Sequence, residues 1–321
     1  MIPSSEDLRK GLLYFRPMGS YWSRPRQQPG QNPDFVLGHY PLDLSRRLQS
    51  GHFRYFDPIG LPRRRSRSGN LIYNYTTLCA FGLAHWSRFI EDPGRSLESR
   101  SMVLAVADYI CNTASMEHDG MTLRADVPKR GHVGRTSAMY HGEAMSLLTR
   151  AHLANPKPEY LSTARKLVDV FLEPVEAGGV VGRLRTSEWF EEDTNQPVRH
   201  ILNGMVYALW GLRDLSSLDS TTHARTLFES GVQSVAASLP LFDAGWWSWY
   251  DSPENGRPYI ASMMYHELHV MQLMALADMA PGIGLETAAR RFRGYASNPA
   301  NRVRAAAELA ISKLVRRPYS G

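Results

Sequence analysis

From Asn70 onward, apolar residues recur at intervals of three and four, and Pro and Gly break the pattern into segments of roughly 12 to 20 residues. The stripe is plainest after Thr221, where Ala224, Leu227, Phe228, Gly231, Val232, Val235 and Leu239 share one helix face before Pro240 closes it. Comparable stripes predict helices over about 71–90, 99–115, 137–153, 159–173, 200–214, 260–279, 285–295 and 302–316, with few strands. Residues 1–68 lack a sustained helical period, are rich in Pro, Gly, Arg and aromatics, and predict an irregular N-terminal arm or short hairpin. Residues 69–321 are then the helical domain. The connections at 154–158 and 215–221 are short and polar, whereas those at 116–136, 174–199 and 240–259 are long. This alternation suits helical hairpins whose long loops gather at one end. The expected fold class is therefore all-α, an α/α toroid or incomplete α/α barrel, with an open helical solenoid left as the alternative.

Composition narrows the function classes. The chain has 321 residues, 43% of them apolar, enough for a substantial core, and a net charge of +6 that is carried almost entirely by Arg. Arg suits bidentate recognition of carboxylate or sulfate, although a compositional bias gives the same count. The run Arg63-Arg64-Arg65-Ser66-Arg67 is read first as a solvated linker and second as a polyanion contact. Cys79 and Cys111 are too few for a disulfide scaffold or a Cys-ligated zinc site. Met1 to Ser20 lacks the pattern of a secretory leader and no stretch of ~18 apolar residues occurs, so the expectation is a cytoplasmic protein without a membrane span. No phosphate-binding glycine loop, GxSxG elbow or paired CxxC is present, and no nucleic-acid partner is expected.

Three long-loop regions concentrate residues suited to chemistry. Glu188-Trp189-Phe190-Glu191-Glu192-Asp193 places four carboxylates beside two rings, and one of them, set in a dry wall, would gain the raised pKa that a general base needs; a solvated acidic loop is the alternative. Phe242-Asp243-Ala244-Gly245-Trp246-Trp247-Ser248-Trp249-Tyr250-Asp251 offers aromatic faces either to sugar rings or to the core. Tyr265-His266-Glu267-Leu268-His269 falls one residue short of HExxH, because its histidines stand three apart rather than four. Neither a metal nor any other cofactor is expected. Tyr265 and His269 share a helix face and suit a cleft, while structural histidines remain the other reading.

Taken together in this order and spacing, these segments resemble the glucuronyl C5-epimerases. The resemblance runs through Ser137-Ala138-Met139 with Gly142, Glu188-Trp189-Phe190-Glu191-Glu192, Leu202-Asn203-Gly204-Met205-Val206-Tyr207, Trp249-Tyr250-Asp251 and Tyr265-His266-Glu267-Leu268-His269. It covers about 137–295, with a fainter echo at Tyr73-Asn74-Tyr75. It implies an isomerase, a uronate epimerase that inverts C5 of D-glucuronate to L-iduronate within an acidic polysaccharide or oligosaccharide of heparosan type. Glu192, Tyr250 and Tyr265 match the family's catalytic carboxylate and tyrosines. The substrate-binding set expected with them is Tyr73, Tyr75, His141, Glu143, Asn203, Trp249, His266 and His269. A homodimer is compatible with this reading. The chain departs from the family pattern where Asp193 replaces a tyrosine, where Ser252-Pro253-Glu254 replaces an arginine after the Tyr-Asp pair, and where Tyr259 and Ser262 replace an Asn and an Arg. Other readings are a polysaccharide lyase or glycoside hydrolase on the same scaffold, and a glycan-binding protein without catalysis. The sequence leaves open which group neutralises the substrate carboxylate.

Overall fold

The computed structural model describes residues 16–25, 37–66, 68–94, 96–117, 120–123, 136–253 and 256–315. Most of the segment read for a leader, most of the 116–136 connection, Arg67 and Glu254 lie outside them. The described chain is mostly helical, with α1 (Tyr75–Glu91), α2 (Leu97–Thr113), α3 (Ala138–Ala154), α4 (Pro158–Lys166), α5 (Leu202–Leu218), α6 (Ala224–Ser238), α7 (Met263–Met279), α8 (Leu285–Ser297) and α9 (Pro299–Val315). Each answers to one of the sequence stripes. The α6 stripe is buried as expected, from Ala224 through Val235, and Leu239 and Pro240 then tighten into a 3-10 turn, Leu239–Phe242. Helix α4 stops at Lys166, short of the expected 173, because the chain turns through a 3-10 segment, Asp169–Phe171. There Phe171 is buried and the Val170 carbonyl accepts from the Val180 amide at 2.9 Å.

Local signals account for the helix starts. The Asn74 side chain accepts from the Thr77 amide at 3.1 Å to cap α1, Pro158 opens α4, and Ser262 caps α7. Helices α1, α3, α5 and α7 are neighbours in sequence order, and each packs against the helix that follows it. The α3–α5 crossing is the closest because two glycines face it. A Cβ on Gly142 would sit 2.4 Å from the Tyr207 carbonyl oxygen, and one on Gly211 would sit 2.2 Å from the Gly142 carbonyl oxygen. Helix α7 is buried nearly all round, which makes it the central strut of the fold.

The strands are short. β1 (Tyr55–Phe56), β2 (Pro62–Arg65) and β3 (Leu71–Ile72) form an antiparallel sheet in which Tyr55 pairs with Arg63 and Arg64 with Ile72. β4 (Ser115–Glu117) and β5 (Gly120–Thr122) make one hairpin, and β6 (Val181–Leu184) with β7 (Ser187–Phe190) another. The arm does not stand apart: Trp22, Tyr40, Leu42, Leu44 and Leu61 are buried in the same core as the helices. It is pinned to α7 by Glu267, whose buried carboxylate accepts from the backbone amides of Tyr21 at 3.0 Å and Trp22 at 2.8 Å. Placing Arg63, Arg64 and Arg65 in β2 corrects the solvated-linker reading of the arginine run, since pairing with β1 and β3 fixes their directions. Among the described residues, no helix is long and apolar enough to cross a membrane.

Candidate active site

The packing order of α1, α3, α5 and α7 sets their first turns side by side. Asn74, Thr76 and Thr77 from α1 and its cap, Tyr140 from α3, Asn203 and Tyr207 from α5, and Tyr265 from α7 all line one cleft of about 560 Å³. Four helix N-termini therefore face the same space, and their unpaired amide dipoles favour negative charge there. The opposite wall comes from the arm, with Arg47, Arg54, Tyr55, Arg63, Arg64 and Arg65. Glu192 is the only acidic residue lining the cleft among the described residues.

Glu192 follows the β6–β7 hairpin, where Trp189 and Phe190 are buried and anchor the turn. The three other carboxylates of that segment have different fates: Glu188 is exposed, Glu191 is buried against His200 Nδ1 at 2.7 Å, and Asp193 accepts from the Asn195 amide at 3.1 Å. Glu192 alone enters the cleft, where Asn203 Nδ2 donates to its Oε2 at 2.9 Å. The neighbouring glycine gives it room: a Cβ on Gly204 would lie 2.4 Å from Glu192 Cβ and 2.6 Å from Oε2. Desolvation, helped by the charge of Asp193 and opposed by the Asn203 hydrogen bond, raises the Glu192 carboxyl to about 7. A carboxylate tuned to neutral pH is both available as a base and basic enough to be useful.

Tyr265 and Tyr250 meet edge to face with ring centroids 4.7 Å apart and share a hydrogen bond between their hydroxyls, so Tyr250 stands behind Tyr265, which lines the cleft. Burial raises both phenols, with the nearby Glu192 charge adding to it, so both are protonated at neutral pH and fit to donate. The Tyr250 loop is locked by Asp251, which is buried and accepts from Arg199 Nε at 2.5 Å and from the Tyr259 amide at 2.7 Å.

The expected binding residues separate into two groups. Asn203 lies in the cleft, and Glu143 is buried close enough behind it to sense the charges of Glu192 and Arg47. Burial lifts Glu143 to about 8, and its Oε2 has no hydrogen-bond partner. The others point elsewhere. Tyr73 donates to Asp57 Oδ2 at 2.7 Å, and Tyr75 is buried with its hydroxyl on Thr113 at 3.2 Å. His141 is fully buried, with Nε2 accepting from the Leu123 amide at 3.2 Å and Nδ1 at 2.9 Å from the Ser137 carbonyl oxygen. Trp249 lines a separate groove against α9, beside Arg257 and Ile311.

His266 stacks on Trp247 at 3.8 Å and holds the Phe292 carbonyl oxygen through Nε2 at 2.8 Å, so its Nδ1 accepts from Ser248. Ser248 Oγ in turn accepts from His269 Nδ1 at 3.0 Å. Burial lowers His266 to about 4 and His269 to about 3, so both are neutral at physiological pH. The near-HExxH segment is thus absorbed by packing: Tyr265 faces the cleft, His266 and His269 brace Ser248, and Glu267 clamps the arm. Among the described residues no three His, Cys, Asp or Glu side chains converge as a metal ligand set.

Residues 122–293 match the family described as D-glucuronyl C5-epimerase C-terminus. That is more than half of the chain. The chain belongs to this family. Over 178 residues it is 35% identical to the D-glucuronyl C5-epimerase of Caenorhabditis elegans, which covers 51% of this chain and 29% of the nematode protein. Over 147 residues it is 27% identical to an uncharacterized protein of Methanocaldococcus jannaschii, covering 44% of this chain and 46% of the archaeal one. The matches thus span less than half the length of either relative. The family segment contains Glu192, Asn203, Tyr250 and Tyr265, whereas the arginine wall at 47–65 precedes it.

Sequence reasoning gave the Arg63–Arg67 run a polyanion contact only as its second reading, and missed Arg47, Arg54, Thr76, Tyr140 and Tyr207. Tyr140 and Tyr207 sit within family-like segments, and their position in the first two turns of α3 and α5 was the available signal. For Arg47 and Arg54, the only signal was the preference for Arg over Lys.

Proposed function

We propose that this member of the epimerase family inverts C5 of D-glucuronate residues to L-iduronate in an acidic polysaccharide or oligosaccharide. The observation that carries this reading is a cleft lined by both a carboxyl raised to about 7, Glu192, and a neutral phenol, Tyr265, with the Tyr250 ring packed against Tyr265. C5–H beside a carboxylate is barely acidic, so the reaction needs a base on one face, an acid on the other and positive charge to receive the developing enolate. Glu192 removes the proton, and the C–H electron pair moves into the carboxylate. Tyr265, resupplied by Tyr250, returns a proton to the opposite face. In the reverse direction the roles exchange. Asn203 orients Glu192, and the convergent helix N-termini favour the anionic intermediate.

The alternation of inner helices α1, α3, α5 and α7 with outer α2, α4, α6 and α8 supports an incomplete α/α toroid over 69–321, with residues 1–68 as an arm that completes the cleft. Incubation with glucuronan or heparosan-type chains in deuterated water tests the function. The reading expects deuterium at C5 and iduronate in the product. An unsaturated uronate absorbing in the ultraviolet would assign a lyase instead, and the absence of both would leave glycan binding alone.

A further inference from the structure

Five arginines line the arm wall, and four of them are already engaged. Arg47 lies over the Trp22 ring at 4.4 Å, and Arg63 lies over Tyr73 at 5.0 Å. Arg54 Nε donates to the Gly51 carbonyl at 3.2 Å, and Arg65 Nη1 donates to the Gly69 carbonyl at 3.1 Å while its guanidinium covers the Tyr55 ring. Arg64 differs from all of these. Its guanidinium makes no ion pair and no hydrogen bond to any described residue, and it is exposed at the cleft. Strand alternation turns its side chain away from those of Arg63 and Arg65, although all three residues border the cleft, and its pairing with Ile72 of β3 holds it there. Its charge reaches the hydroxyls of both Tyr140 and Tyr265, on the inner-helix side of the cleft.

We propose that Arg64, supplied by β2 of the N-terminal arm, binds the carboxylate of the uronate whose C5 proton is transferred. This deepens the epimerase reading and rests on it. The physical requirement is specific. When Glu192 takes the C5 proton, the released electron pair spreads onto the carboxylate oxygens, and a fork of guanidinium donors facing those oxygens gains more from the intermediate than from the ground state. An arginine already tied to a carboxylate in the protein gives up that partner before it serves, and Arg64 has none. In the loop after Tyr250, Ser252 and Pro253 carry no charge, and Arg257 faces the separate groove beside Trp249, paired with Glu308. The arm is the wall that offers the charge.

Three measurements on the full chain test the assignment. Arg64→Met keeps the aliphatic stem and removes the charge, and its melting temperature should match wild type because no contact is lost. C5 deuterium exchange into the polymer should fall by about 10² in rate, Arg64→Lys should recover part of it, and added methylguanidinium should restore part of the Arg64→Met loss. Separately, a glucuronate oligosaccharide should bind wild type roughly 10- to 100-fold better than its carboxyl-reduced counterpart, and Arg64→Met should lose that preference. If wild type exchanges C5 deuterium and Arg64→Met does so within about twofold of it, the Arg64 assignment is overturned and the epimerase reading stands. Equal binding of the two oligosaccharides by wild type also overturns it. If wild type prefers the carboxylate through Arg64 but never exchanges C5, the epimerase reading is the part that fails.

Discussion

One wall of the cleft is helical and brings Glu192, Asn203, Tyr207 and Tyr265 together from residues far apart in sequence; the other is a small sheet and arm that bring five arginines from within nineteen positions, 47 to 65. The helical wall is rigid for reasons of packing. Its helices α3 and α5 touch backbone to backbone through Gly142 and Gly211, His266 is held between Ser248 and the Phe292 carbonyl, and its cleft carboxylate, Glu192, is held by Asn203. The arm wall is held by a few discrete contacts, chiefly Glu267 on the Tyr21 and Trp22 amides and the β1–β3 pairing. Proton transfer demands placement to within fractions of an ångström, whereas charge recognition tolerates more movement. Under the proposed function, the helices perform the chemistry and the arm selects and neutralises the anion.

The largest expected effects break the helical wall. Glu192→Gln and Tyr265→Phe each remove one proton-carrying group while keeping its shape, so turnover should fall by ~10² to 10⁴ with little change in melting temperature. Gly204→Ala comes next, because its methyl would occupy the space of the Glu192 side chain. It should lower activity strongly and also cost about 1–3 kcal/mol in stability, read by denaturant melts.

A third test concerns the buried acid behind the cleft. Glu143 is held at about 8 against an ordinary 4.5. Below pH 4.5 it is protonated folded or unfolded. Between 4.5 and 8 the unfolded chain gives up a proton that the folded chain keeps, so stability falls as pH rises, and above 8 the loss is complete. Glu143→Gln should remove Glu143's share of this decline and leave the share that Glu192 contributes between 4.5 and 7. Because His266 and His269 add the opposite slope on the acid side, the difference in melting temperature between variant and wild type is the quantity to read.

Smaller effects sharpen the contrast between the walls. Asp193→Asn removes a charge that holds Glu192 up, so the rising limb of kcat/KM should move from near 7 to lower pH. Raising salt should increase KM severalfold through screening at the exposed arginines and leave kcat nearly unchanged. A large salt effect on kcat would contradict the division of labour.

How much of this was legible in the sequence follows the same boundary. The helices were legible because a buried face imposes a period, as the α6 stripe shows residue by residue. Glu192, Tyr250 and Tyr265 were picked out by resemblance together with residue chemistry. The histidines were misplaced by the same reasoning: His141 and His266 share segments with cleft residues, but one residue along a helix turns a side chain by ~100°, here into the core. The arm was opaque. Its order comes from contacts more than two hundred positions away, such as Trp22 with Glu267, and no local period reports those.

The central claim is that Glu192 and the Tyr250–Tyr265 pair serve opposite faces of one carbon. It is tested most directly by following C5 deuterium wash-in and wash-out by NMR, with glucuronate-containing and iduronate-containing polymers given separately to Glu192→Gln and Tyr265→Phe. The account predicts that each variant loses inversion, that any exchange left in a variant is confined to one epimer, and that the two variants retain opposite epimers. Exchange of both epimers at wild-type rate by either variant would contradict it.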